Sequence, residues 1–179
     1  MRIVSGKNKG KRIVPPKNFK ARPTTDFAKE SLFNILANNY NFENIIALDL
    51  FSGTGGITYE LASRGCPDVT SIELNPVHQG FIRKTIDELG YRNQVQSLKQ
   101  NAFVFLKGCN QQFDLIFADP PYDMEGIETL IDIIFEKELL TNEGWFILEH
   151  SKSRDFSNSP FFIERRSYGS VNFSIFGKS

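Results

Sequence analysis

Four consecutive residues, Asp119-Pro120-Pro121-Tyr122, join a carboxylate, two ring-locked backbone positions and an aromatic plate. Proline fixes φ and removes an N–H donor, so the acid and the carbonyls beside it become acceptors held in one geometry. A second group lies earlier, in Asp49-Leu50-Phe51-Ser52-Gly53-Thr54-Gly55-Gly56. Glycines there let the backbone turn sharply and approach a ligand closely. A dinucleotide fingerprint would need a third glycine at position 58, which is Thr, and Asp49 would repel a pyrophosphate while attracting a cationic amino-acid group. The loop therefore suits a ligand that lacks phosphate there. Glu73 is placed to accept hydrogen bonds from two ribose hydroxyls, and Asn101 to meet an adenine edge. Singly, Glu73 could be a solvated strand end, Asn101 a turn former and the prolines a stiffened turn.

These residues need rigid supports, and the hydrophobic pattern supplies them. Ile45–Phe51 is an apolar run of the kind a central parallel strand requires. Helix 56–63 and strand Val69–Glu73 follow. Next comes a helix with Asn75 as N-cap, Pro76 at its first position and Gly90 as its stop. The alternation continues with strand Val95–Lys99, helix Ala102–Lys107, strand Phe113–Ala118, helix Ile127–Lys137 and strand Trp145–Glu149. The segments Phe161–Arg166 and Val171–Phe176, flanking Tyr168-Gly169-Ser170, read as an antiparallel pair. The expected architecture is a doubly wound α/β sheet, seven-stranded and mostly parallel, with an antiparallel C-terminal edge. Asp49, Glu73, Asn101 and Asp119 then all fall at the carboxyl ends of successive strands.

The 179 residues imply one domain. No apolar run reaches membrane-spanning length, no signal-peptide pattern opens the chain, and Cys66 and Cys109 are too few for a disulfide framework, so a cytoplasmic location is expected. Net charge is zero, but eight of the 21 Lys and Arg precede Asp26 in a stretch without any acid. Residues 1–25 thus form a basic arm suited to a polyanion, and the arm is expected to be separable from the sheet at 26–179. Arg12-Ile13-Val14 is a candidate short strand within it, and a solvated, partly disordered tail is the alternative. Another helix follows, with Thr25 or Asp26 as N-cap. His78 and His150 read as surface or core residues, and no metal is required.

With Asp49-x-Phe51-x-Gly53-x-Gly55 upstream, Asp119-Pro120-Pro121-Tyr122 resembles the signature of class I S-adenosylmethionine-dependent methyltransferases that modify exocyclic amino groups of nucleobases. That likeness covers Ile45 to Glu149. A second likeness spans nearly the whole chain. Arg2-Ile3-Val4-Ser5-Gly6-Lys7, Gly10-Lys11-Arg12, Arg22-Pro23-Thr24-Thr25-Asp26, Lys29-Glu30-Ser31-Leu32-Phe33-Asn34 and Tyr168-Gly169 are similar to the bacterial small-subunit ribosomal RNA guanine-N2 methyltransferase family. The likeness implies S-adenosylmethionine held by Asp49, Phe51, Gly53, Gly55, Glu73, Asn101 and Ala102, and catalysis by Asp119, Pro120 and Tyr122. It also implies RNA contacts from Lys7, Lys11, Arg12, Arg22, Thr24 and Pro121, with a monomer acting on ribosomal RNA or the small subunit. Phe27 departs from the pattern, standing where a basic residue is expected. Methylation of adenine N6 is the alternative; a DNA enzyme of that type usually carries a recognition module absent here, a glutamine methyltransferase would favour Asn in place of Asp119, and a plain RNA-binding protein leaves the tetrad idle.

Overall fold

The computed structural model describes residues 1–17, 19 and 24–178, and Arg22 lies outside them. Seven strands form one sheet in the order β3-β2-β1-β4-β5-β7-β6. They are β1 (Ile46–Leu50), β2 (Asp68–Glu73), β3 (Val95–Lys99), β4 (Phe113–Ala118), β5 (Leu140–His150), β6 (Phe162–Tyr168) and β7 (Val171–Gly177). The first five run parallel, and β7 inserts between β5 and β6, antiparallel to both. This is the expected seven-stranded doubly wound sheet. The expected antiparallel pair is β6 and β7; β7 lies inside the sheet and β6 forms its edge.

Among the described residues five α-helices cover the sheet: α1 (Asp26–Asn39), α2 (Gly56–Ser63), α3 (Pro76–Leu89), α4 (Ala102–Gly108) and α5 (Glu128–Glu136). Alternate residues along a strand point to opposite faces. In β1, Ala47 joins the apolar layer beneath α1, α2 and α3, whereas Leu48 and Leu50 join the layer beneath α4 and α5. Thr25 is the N-cap of α1, its hydroxyl accepting from the Ala28 N–H at 3.2 Å. Asn75 caps α3, with Pro76 in its first turn and Gly90 left-handed at its end, as expected. Strand β5 begins at Leu140, five residues before the predicted Trp145, and its pairing with β4 is irregular between Phe113 and Leu115.

Residues 1–13 are folded onto this body rather than trailing from it. The Ile3 N–H donates to the Lys11 carbonyl and the Gly10 N–H to that of Ile3, closing a hairpin in which Arg2 bridges Arg12. Ile3 and Ile13 are buried in the same layer as α1 and β7. The N–H groups of Val4 and Ser5 donate to the carboxylate of Glu60 in α2, at 2.8 and 3.0 Å. Gly6, at φ +82°, lies so close to α2 that an added Cβ would stand 1.8 Å from the Ser63 carbonyl oxygen.

Candidate active site

The chain runs β1, β2, β3 toward one edge and then returns to place β4 on the other side of β1, so the strand order reverses between β1 and β4. Ligand crevices in open α/β sheets lie outside the carboxyl ends of strands at that reversal. A cleft of about 1200 Å³ opens there. It brings together Asp49 near the end of β1 with Phe51 and Gly53 just after it, Glu73 at the end of β2, Asn101 and Ala102 after β3, and Asp119-Pro120-Pro121-Tyr122 after β4. Gly55 stands at the head of α2 just behind it.

The glycine loop is shaped by two acids. Gly55 is left-handed and offers α2 no side-chain cap, and a Cβ there would stand 2.4 Å from the Tyr59 ring. The missing cap comes from the strand instead. Asp49 Oδ2 accepts the Thr58 N–H at 3.1 Å and its hydroxyl at 2.5 Å, in the first turn of α2 where the helix dipole favours an anion. Burial nevertheless raises the Asp49 carboxyl to about 7, because these two donors only partly replace water. Across the loop, Glu73 accepts the Gly53 N–H at 2.8 Å through Oε2 and the Asn75 N–H at 2.7 Å through Oε1. Glu73 thus ties the end of β2 to the turn after β1. Phe51 sits at φ +58°, a conformation rare for side-chain-bearing residues, and meets Phe103 edge-on at 6.3 Å.

Asn101 is exposed and serves as N-cap of α4, its Oδ1 accepting from the Phe103 and Val104 N–H groups at 2.9 and 3.2 Å. A helix leaves its first N–H groups without internal partners, so Ala102 presents a donor at the same rim. At the other end of the cleft, Asp119 receives no hydrogen bond from any described residue, while Pro120 is buried and Tyr122 half-exposed. Burial, then the charge of Glu149, then that of Asp49, push the Asp119 carboxyl well above the ordinary range.

Glu149, near the end of β5, escaped the sequence reading. It is 3% exposed, accepts the Thr24 hydroxyl at 3.0 Å and that of Tyr122 at 3.2 Å, and lines the cleft. The signal was present: an acid closing an apolar run, in the same strand-end position as Glu73. Lys29 was missed as well. It is buried in α1, its Nζ donating to the Arg2 carbonyl and lying 3.7 Å from Glu60, and desolvation lowers its pKa. Nothing in the helical pattern distinguishes it from an exposed lysine.

Of the residues assigned to RNA, Thr24 and Pro121 line the cleft. Lys7, Lys11 and Arg12 are exposed on the hairpin outside it, Arg12 facing a separate groove of about 560 Å³ with Arg2, Val14 and Asp26. Phe27 is 68% exposed and meets the Tyr168 ring edge-on at 6.0 Å. His150 is buried, its Nε2 paired with Ser174 Oγ at 2.8 Å, and His78 packs on Phe19.

The cleft accordingly has two halves, a loop framed by Asp49 and Glu73 and a pocket framed by Asp119, Glu149 and Tyr122. Among its described lining residues four are acidic, and Lys29, which is turned to Glu60, is the one Lys or Arg. Such a site fits a cationic ligand and disfavours a pyrophosphate.

Comparison with known proteins places the whole chain in a family. The profile of the family described as Conserved hypothetical protein 95 matches residues 1–177. Ribosomal RNA small subunit methyltransferase D of Buchnera aphidicola subsp. Baizongia pistaciae is 31% identical over 86% of this chain and 77% of its own. The protein of that name from Escherichia coli K12 is 29% identical over 89% and 79%. A solved structure of a hypothetical protein from Thermus thermophilus superposes with a TM-score of 0.87 at 25% identity, covering 99% of both chains. With the family profile spanning almost every residue and the whole fold superposing on a solved structure, this chain belongs to the Conserved hypothetical protein 95 family, a family of methyltransferases.

Proposed function

We propose that the protein transfers a methyl group from S-adenosylmethionine to the N2 amino group of a guanine in small-subunit ribosomal RNA. The observation that carries this is the Asp119 pocket, a carboxylate without a hydrogen-bond donor among the described residues, beside a buried proline and a half-exposed tyrosine. Relatives named for ribosomal RNA small-subunit methylation support the substrate class. The acidic, lysine-poor cleft suits the cofactor's cationic amino and sulfonium groups, and Glu73 and Asn101 would hold its ribose and adenine.

The cofactor when bound supplies an electrophilic methyl group on a cationic sulfur, and the protein's task is to prepare the nucleophile. An exocyclic amino nitrogen of a base is a poor nucleophile because its lone pair is delocalised into the ring. Asp119 and the Pro120 carbonyl accept its two N–H bonds, favouring a geometry in which the lone pair is free to attack. The prolines hold these acceptors ready, so little reorganisation accompanies the reaction. Asp119, with its raised proton affinity, is suited to take the proton that the nitrogen sheds after attack. Tyr122 stacks on the flipped-out base, a contact worth about 1–3 kcal/mol.

Incubation with labelled S-adenosylmethionine and separate RNA, DNA and protein pools tests the reaction class; label is expected in RNA. Nucleoside digestion and mass spectrometry of ribosomal RNA from cells with and without the gene then test the product. Loss of N2-methylguanosine is expected, and loss of N6-methyladenosine instead would overturn the substrate assignment.

A further inference from the structure

The chemistry of methyl transfer to nitrogen calls for one carboxylate, yet the pocket holds two. Ala118 in β4 pairs with Leu148 in β5, so Asp119, just past β4, and Glu149, still within β5, stand side by side. The protein gives Glu149 two hydroxyl donors, one for each carboxylate oxygen, and among the described residues no cation pairs with it. Each carboxylate oxygen has two lone pairs, so both oxygens keep acceptor capacity within the cleft. A half-satisfied carboxylate beside one with no donor among the described residues is costly without donors from a ligand.

The nucleobases differ in what they can bring. Guanine presents N1–H and the N2 amino group next to each other, a continuous row of donors. Adenine and cytosine place a bare ring-nitrogen lone pair beside their amino groups. We propose that Glu149 selects guanine: its carboxylate accepts the ring N1–H while Asp119 holds the neighbouring amino group, and it repels the lone pair that adenine or cytosine would present there. This assignment rests on the reading of the substrate as RNA guanine, and it makes Glu149 a specificity residue rather than a support for Tyr122 alone. The raised proton affinity of both acids, caused by burial and for Asp119 also by its neighbour's charge, agrees with a pocket short of donors until the base arrives.

The test uses a short RNA spanning the methylated position, carrying either guanine or 2-aminopurine there. The analogue keeps the N2 amino group, exchanges N1–H for a lone pair and lacks the O6 carbonyl, so the change of the ratio on altering Glu149 is what reports on the N1 contact. The wild-type protein is expected to favour guanine in kcat/KM by roughly tenfold to a hundredfold, the worth of one charged hydrogen bond. E149Q can donate its amide to the lone pair, so the preference should fall to near parity or reverse. An unchanged ratio in E149Q would leave Glu149 as a support for Tyr122 and overturn the proposal. Should E149Q turn over neither RNA, the Kd ratio for the two RNAs, followed by 2-aminopurine fluorescence and competition, reads the same preference. Should it fail to fold, E149A is read in the same way, an unchanged ratio overturning the proposal, and parity in the wild-type ratio overturns it by itself. Methylation of adenine by the wild-type protein would instead sink the underlying substrate reading, an outcome separable from either ratio.

Discussion

A carboxylate taken out of water without a donor favours its protonated form, and Asp119 is in that position. The native state binds this proton more tightly than the unfolded chain, so the cost of ionising Asp119 is absent at low pH and grows as pH rises. Asp119→Ala is therefore expected to abolish methyl transfer while leaving cofactor affinity unchanged, and its Tm relative to wild type should improve as pH increases. Thermal melts across pH, together with calorimetric titration of S-adenosylmethionine, check both halves. Glu73 is different, since one of its oxygens holds the Gly53 N–H of the glycine loop and the other the Asn75 N–H at the head of α3. Glu73→Ala should weaken cofactor binding by about tenfold to a hundredfold, the equivalent of ~1.5–3 kcal/mol, and unchanged affinity in a folded variant would refute its place in the cofactor site.

Local motifs turn into strong constraints when elements share them. Asp49 belongs to β1 but caps α2, so the turn between them is braced by Thr58 as well as by its glycines. Thr58→Val removes the hydroxyl donor while keeping shape, and should lower stability by about 1–3 kcal/mol, visible as a Tm several degrees lower. The N-terminal hairpin is more deeply committed. Glu60 is fully buried and receives Val4, Ser5 and Arg64, with Lys29 nearby. Deleting residues 1–13 removes two of those donors together with Ile3 and Ile13. Breaking a buried charged group's partnership costs ~3–5 kcal/mol and each lost isoleucine ~1.5–3 kcal/mol, comparable with a domain's whole stability. The truncated chain is expected to fail to fold by circular dichroism; a cooperative melt at the wild-type Tm would show that the hairpin is dispensable.

At the scale of the molecule, the acidic cleft and the basic hairpin are separate surfaces. Because the hairpin is part of the core, its charge is better tested by substitution than by truncation. Lys7, Lys11 and Arg12 are exposed, and their replacement by Gln leaves the backbone bonds of the hairpin in place. If these three neutralise phosphates of unpaired RNA, the slope of log affinity against log salt should flatten by roughly 2, at about 0.7 per contact. Cofactor affinity should stay the same. An unchanged slope in equilibrium binding across a salt series would remove the hairpin from the RNA interface.

The sheet was legible because its signals are local: apolar runs for buried strands, Asn75-Pro76 and Gly90 for the limits of α3, and glycines after β1. That Asp49, Glu73, Asn101 and Asp119 would meet in one cleft was legible for the same reason, since strand ends in a parallel sheet converge on one side. What the chain alone left open were interactions between residues distant in sequence. Glu149 becomes a partner of Asp119 only when β5 pairs with β4, and Asp49 becomes a helix cap only when α2 folds back over β1. The basic segment reads as an arm by composition, because Ile3 and Ile13 are sparse among lysines and glycines. Its docking depends on the buried carboxylate of Glu60, and no periodicity in α2 shows that this acid faces inward to meet the Val4 and Ser5 N–H groups. Sequence determines which segments can bury apolar surface and which can turn; tertiary packing decides which polar groups lose water together, and that loss sets their charge, their partners and their chemistry.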